Sequence, residues 1–194
     1  MDMPTMVTAR TATARTSLRN MVDFSEIRAF LFDVDGVFTD GGVLCDLKGE
    51  LYRTFDAKDG FAVRMACMRG YPVGIITGGR SRSITERFLT TGLKEEDVYL
   101  GARNKVEQLQ DFCERHYLNA DQILFIGDDI PDLEVMQTVG IGLCPSDAAE
   151  EVKAAADIIS TRPGGRGCVR DAVERVLKAH GDWNFDALEY KKHF

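Results

Sequence analysis

The sequence predicts an α/β fold: a Rossmann-like, doubly wound, mostly parallel sheet with helices on both faces, plus a projecting β-hairpin. Three observations lead there. Short apolar runs alternate with helical stretches from residue 27 onward. The runs are wholly apolar, as expected of strands buried on both faces. Single helices separate them, which joins the strands in parallel through right-handed crossovers.

Each element has its own signal. "IRAFLFD" (27–33) is a buried strand. "GGVLCDLKGELYRTFD" (41–56) has two strand-like arms around "DLKGE", a hairpin signal and the one departure from alternation. "DGFAVRMACMRG" (59–70) is a helix that Asp59 is placed to cap and Gly70 to end. "YPVGIITGG" is the next strand, and "SRSITERFLTTG" a helix with a serine N-cap and a terminal glycine. "DVYL" is a short strand, "NKVEQLQDFCERHY" a helix and "QILFIGDD" a strand. "PDLEVMQTVG" is a helix opened by proline in its first turn. "IGLC", "DAAEEVKAAA", "DIIS" and "GCVRDAVERVLKAHG" continue as strand, helix, strand, helix. No repeat or linker divides the core.

Composition narrows the function classes. The 194 residues are 44% hydrophobic and 28% charged, ordinary for one globular domain. A net charge of −7 argues against a nucleic-acid surface. No apolar run approaches the roughly 18 residues of a membrane helix. Five scattered cysteines without a CxxC pair read as reduced thiols of a cytoplasmic protein. Residues 1–22 are rich in Thr, Arg and Ala and have no apolar segment, which excludes a secretory signal. They read as a disordered leader or as sequence upstream of a start at Met21, although a transit peptide shares their basic, acid-poor composition. The expected domain is 23–182, with a tail at 183–194.

In an open α/β sheet, ligands bind beyond the carboxyl ends of the strands. The residues there are Asp33 and Asp35, Thr77, and then Gly127, Asp128 and Asp129, with Asp132 close behind. A lone GDD is usually a turn or a helix cap. GDD together with DVDG at another strand end gathers more carboxylates than can ionise without a cation. The ligands are all oxygens, which favours Mg2+ over zinc. Thr77, followed by Gly78 and Gly79, offers a hydroxyl and free N–H groups at a helix start, a phosphate cradle. Lys105 opens its helix, where a cation opposes the helix dipole unless an anion compensates.

DxDGV, then T-G after an apolar strand, then Lys, then GDDxxD resembles the haloacid dehalogenase superfamily of phosphohydrolases over about residues 27–180. The resemblance implies Asp33 as the nucleophile that forms an aspartyl-phosphate, and Asp35 as the acid/base. It also implies Thr77 and Lys105 as holders of the phosphoryl group, and Mg2+ on Asp33, the Asp35 carbonyl and Asp128. The spacing leaves no room for a cap domain. Among capless members the chain is similar to the 3-deoxy-D-manno-octulosonate 8-phosphate phosphatases, on "DVDGVFTDGGV", "GELYRTFDAKDGFAV", "GIITGGRS", "GDDIPDLEVM" and "GGRGCVRDAVERVL". That implies a small phosphorylated sugar acid as substrate and a role in lipopolysaccharide core biosynthesis. It also implies a homotetramer built on the hairpin (about 42–55), with the C-terminal segment able to reach a neighbouring site.

One departure from the pattern of its relatives matters. Many read T-G-R, with an Arg that meets the substrate; here residue 79 is Gly and Arg80 follows, so Arg80 is the substrate-binding candidate. Phosphatases of nine-carbon, sialic-acid-type 2-keto acid phosphates are the neighbouring alternative, and "KDG" (58–60) favours the eight-carbon substrate. A non-catalytic phospho-aspartate signalling domain or a dead structural relative is the alternative from another class. Receivers, however, place the acidic pair before the phosphorylated Asp and lack an equivalent of Asp35, and every motif carboxylate is present.

Overall fold

The structure is a computed structural model that describes residues 22–185. Of the expected leader only Val22 falls within that range, and of the expected tail only 183–185; the rest of both lies outside the described residues. In chain order the elements are β1 (Ala29–Phe32), the hairpin strands β2 (Leu44–Cys45) and β3 (Leu51–Tyr52), α1 (Ala57–Met68) and β4 (Val73–Ile76). There follow α2 (Arg82–Leu89), β5 (Val98–Tyr99), α3 (Lys105–His116) and β6 (Ile123–Ile126). A 3-10 turn (Ile130–Asp132), α4 (Leu133–Thr138), β7 (Ile141–Cys144), α5 (Glu150–Ala155), β8 (Ile158–Ile159) and α6 (Cys168–Ala179) come last.

Six strands form one sheet in the order β5-β4-β1-β6-β7-β8, with every neighbouring pair parallel. The sheet has two cores. Phe30 and Phe32 face α1, α2 and α6, while Ala29 and Leu31 face α3, α4 and α5. A one-residue slip of β1 would exchange these sets, so the all-apolar run fixes its register through side-chain volume on both faces. From β1 the chain builds outward to β4 and β5, then crosses through α3 to β6 on the opposite side of β1. That reversal opens a crevice at the carboxyl ends of β1, β4 and β6.

Several local readings are refined. Pro131 lies in the 3-10 turn just before α4 rather than inside it. Ser81 sits at the N-cap of α2 but makes no capping bond there, and its hydroxyl pairs with that of Ser83 at 2.7 Å. The cap of α1 is Asp56, which accepts from the Lys58 N–H at 2.6 Å. Asp59, expected in that role, is fully buried one turn in and accepts from the N–H groups of Gly167 (3.1 Å) and Arg170 (2.7 Å). It thus caps α6 from another helix, where Gly167 has no side chain to do so. Burial raises its carboxyl to about 6 even though both backbone bonds pull the other way. Gly60 leaves room for the Arg87 guanidinium, since a Cβ would come within 2.3 Å of Nη2. Two residues of "KDG", Asp59 and Gly60, thus have packing roles of their own. Asp59→Ala strands two partly buried donors and is expected to cost roughly 1–3 kcal/mol, read as a lower Tm with the sheet retained.

The hairpin stands apart from both cores. Val43, Leu44, Leu47, Leu51 and Tyr52 are exposed, Leu44 at 70% and Leu47 fully. Phe55, just past β3, packs edge-on against Phe88 and belongs to the protomer's own core.

Candidate active site

The crevice is a cleft of about 510 Å³. Asp33, Asp35, Thr77, Gly78, Lys105 and Asp128 all line it, so the topology gathers residues far apart in sequence. Asp33 is held by the sheet: its N–H donates to the Ile126 carbonyl at 3.0 Å and extends the β1–β6 pairing by one residue. Gly36 then turns with φ +81°, and a Cβ there would lie 1.9 Å from Asp128 Oδ2. The loops after β1 and β6 touch at this point, which only glycine permits.

Lys105 is nearly buried, unlike an ordinary helix lysine. Its Nζ lies 2.6 Å from Asp132 Oδ1 and 3.1 Å from Asp33 Oδ2. These are the anions that offset its place in the first turn of α3. Burial alone would lower its pKa; the two carboxylates outweigh that and raise it. The other oxygen of Asp132 accepts from the N–H groups of Asp128 (3.0 Å) and Asp129 (3.3 Å). Asp132 therefore anchors Lys105 and shapes the loop after β6. Thr77 is buried at the end of β4, with its N–H donating to the Tyr99 carbonyl. Its Oγ1 accepts from the Gly79 N–H at 3.1 Å, which leaves the hydroxyl proton available as a donor.

The carboxylates suit a hard cation. Oxygens of Asp33, Asp128 and Asp132 lie within 4.8 Å of one another. Asp132 has both oxygens engaged, so the free ligands are Asp33 and Asp128. Asp33 Oδ1 is buried and has no hydrogen-bond partner, an orphaned acceptor that a cation would satisfy. Burial, and then the charge of Asp132, raises Asp33 to about 6. Burial, and then the charge of Asp33, raises Asp128 to about 7. Such crowding is what a divalent ion relieves.

Arg80 does not line the cleft. It is exposed, with its side chain over Gly101. The Gly101 N–H donates to the Gly79 carbonyl at 2.9 Å, tying the two loops together and placing Arg80 over the second. Two other arginines, both unforeseen, stand nearer the chemistry. Arg103 lines the cleft. Arg53, on the hairpin, forks onto Asp35, with Nε 2.6 Å from Oδ1 and Nη2 2.9 Å from Oδ2. Nothing in the spacing of Arg53 and Asp35 marks them as partners, because the loop between them forms no regular element with β1.

Comparison with known proteins follows the same lines. A family model described as haloacid dehalogenase-like hydrolase matches residues 79–167. The chain is 32% identical over 161 residues to the 3-deoxy-D-manno-octulosonate 8-phosphate phosphatase of Escherichia coli B, covering 83% of this chain and 85% of that protein. The solved 3-deoxy-D-manno-octulosonate 8-phosphate phosphatase of Moraxella catarrhalis, in complex with magnesium ion, phosphate ion and KDO, superposes with a TM-score of 0.80 at 28% identity. It covers 91% of this chain and 98% of that one. The cobalt-bound Haemophilus influenzae phosphatase superposes at 0.78 with 30% identity, covering 82% of this chain and 92% of its own. Among the described residues, no helix is long and apolar enough to cross a membrane.

Proposed function

The chain belongs to the haloacid dehalogenase-like hydrolases, among the 3-deoxy-D-manno-octulosonate 8-phosphate phosphatases, and on that premise we propose that it hydrolyses this eight-carbon sugar acid phosphate with Mg2+. One observation carries the reading. Asp33 has one oxygen paired to a buried lysine and the other buried and bare, at the mouth of a cleft that also holds Thr77 and Asp128.

In this reading an Asp33 oxygen attacks phosphorus, the bond to the sugar oxygen breaks, and Asp35 gives its proton to that oxygen. Water then attacks the aspartyl-phosphate, Asp35 takes a proton back, and phosphate leaves as the Asp33 carboxylate re-forms. The Thr77 hydroxyl, the Gly78 N–H and Lys105 hold the phosphoryl oxygens, so the work is mostly positioning and charge. Asp33, the Asp35 carbonyl and Asp128 would hold Mg2+, which when bound supplies positive charge to the carboxylates and the phosphoryl group. The eight-carbon substrate is supported by the identity to the E. coli enzyme and by the sugar acid in the M. catarrhalis complex. Its product would feed the lipopolysaccharide core of a Gram-negative bacterium, and five free cysteines accord with a cytoplasmic enzyme.

A panel of phosphate esters tests the substrate. The 8-phosphate of the eight-carbon acid is expected to exceed both the nine-carbon 9-phosphate and p-nitrophenyl phosphate in kcat/KM by roughly tenfold or more. Preference for the nine-carbon acid, or no turnover of either acid, would overturn the assignment.

The capless cleft is open, and the exposed apolar hairpin supports a homotetramer in which hairpins pair and neighbouring subunits help enclose the sugar. Leu44→Asp with Leu51→Asp is expected to give smaller species in light scattering. It should lower kcat/KM for the sugar acid phosphate about tenfold, and for p-nitrophenyl phosphate far less, because the aryl ester needs only the phosphate cradle. A dissociated variant with full kcat/KM on the sugar would refute the shared site.

A further inference from the structure

We propose that Arg53 is a positioning residue for Asp35: its planar fork fixes the carboxylate in the plane from which it exchanges a proton with the leaving oxygen. This rests on the acid/base role given to Asp35 above.

The geometry has four parts. Both Asp35 oxygens are held, by different nitrogens of one guanidinium, at 2.6 and 2.9 Å. A fork of this kind fixes orientation as well as distance, which a lysine at the same place could not do. A carboxylate accepting two such bonds keeps further lone pairs, so one remains free to carry or collect a proton. Second, the guanidinium is covered: the Arg53 side chain is 4% exposed, while that of Asp35 is 33% exposed and faces the cleft. The rigid end is inside and the working end is accessible.

Third, the arrangement is costly in a way that a simple staple for the hairpin would avoid. Arg53 Nη1 is buried and has no hydrogen-bond partner. Burying a guanidinium with a donor unpaired is unfavourable, and groups left so in folded proteins call for a functional account. Fourth, the loop after β4 lies against it at Gly79. A Cβ on Gly79 would meet Arg53 Nη2 at 3.3 Å and Ile84 Cδ1 at 2.8 Å. The glycine that departs from T-G-R thus lies against both the Arg53 guanidinium and Ile84. The pair also links function to assembly, because Arg53 immediately follows β3 of the exposed hairpin.

The test exploits leaving groups. Departure of p-nitrophenolate needs little help from an acid, phenolate needs more and benzyl alkoxide needs most, while the phosphate contacts are common to all three esters. The kcat/KM of each is measured for the wild type, Arg53→Ala and Arg53→Lys, with Mg2+ present. If Arg53 orients Asp35, Arg53→Ala lowers the value for benzyl phosphate by roughly 100-fold and that for p-nitrophenyl phosphate by less than tenfold, so the plot against leaving-group pKa steepens. Arg53→Lys, which keeps charge without the fork, stays near the alanine variant. Added guanidinium ion raises the benzyl phosphate rate of Arg53→Ala and leaves that of the wild type unchanged. An equal loss for all three esters, or a lysine variant equal to wild type, would overturn the proposal. If Arg53→Ala loses its Tm or its assembly, the slope is read from the lysine variant, with the same two outcomes. The series uses no sugar acid, so a wrong substrate assignment would show in the panel above and leave this slope intact.

Discussion

Asp33→Asn is expected to lower kcat by roughly 10⁴-fold or more, while the metal-free protein melts at the same or a higher temperature than the wild type. The two halves have separate causes. Turnover falls because the amide is no nucleophile and cannot form the acyl-phosphate. Stability holds because Asp33 is a strained ion in the absence of metal: burial first, and the Asp132 charge second, raise its carboxyl to about 6. At pH 8 that ion costs an amount of the order of 2–3 kcal/mol that a neutral amide does not. Lys105 keeps a partner in the variant, since Asp132 remains 2.6 Å away. Scanning calorimetry in EDTA at pH 8 and steady-state kinetics in Mg2+ read the two halves. Turnover within tenfold of wild type would remove Asp33 from the nucleophile's role. A large fall in Tm would mean that the Lys105–Asp33 contact stabilises the fold by more than the crowding costs.

The site was legible in the sequence where the fold gathers strand ends, and obscure where loops do the gathering. Asp33, Thr77 and Asp128 could be found because each ends an apolar run, and parallel strands bring such ends together. Lys105 was visible only as an anomaly of charge at a helix start; its burial between two aspartates needed the tertiary structure. Arg53 gave no signal, because its partner Asp35 lies in a different loop and the approach of the hairpin's base to that loop is not written in any periodicity. Asp59 misled for a related reason. A carboxylate near the start of a helix suggests a cap of that helix, yet Asp59 turns inward to cap α6, whose own N-cap is Gly167. Phe55 was read with the exposed arms of the hairpin, while its ring packs edge-on against Phe88 in the core. Local rules name the groups that need partners, and tertiary packing decides which partner each one gets.

Removal of metal is expected to stop turnover and to make stability depend on pH. In EDTA the rate should fall by about 10³-fold or more and return with Mg2+. Ca2+ should bind without restoring it, since its larger, looser oxygen shell draws both oxygens of a carboxylate onto the ion and would leave Asp33 none for attack. The metal-sensitive part of the pH dependence follows from two raised carboxyls, while Asp59, raised to about 6 away from the site, adds the same trend with or without metal. Without metal, Asp33 sits at about 6 and Asp128 at about 7, both above their ordinary value of 3.8. A group whose pKa is raised by folding contributes stability that is complete below its unfolded pKa and is lost as pH rises through its folded one. The metal-free protein should therefore lose Tm between about pH 4 and pH 7, from the unfolded pKa of these two groups to their folded ones. In the proposed site Mg2+ would be held by the ionised pair, so its stabilisation should grow over the same interval and flatten that part of the profile, and binding at pH 6 should release protons that a calorimeter detects in buffers of different ionisation enthalpy. Asp128→Asn removes one of the two ions and should both weaken Mg2+ binding and reduce the slope of the metal-free profile. Undiminished turnover in exhaustively chelated enzyme would contradict the carboxylate cluster as a cation site. A metal-free Tm that rises from pH 4 to pH 7 would show that the crowding of Asp33 and Asp128 is already compensated by Lys105.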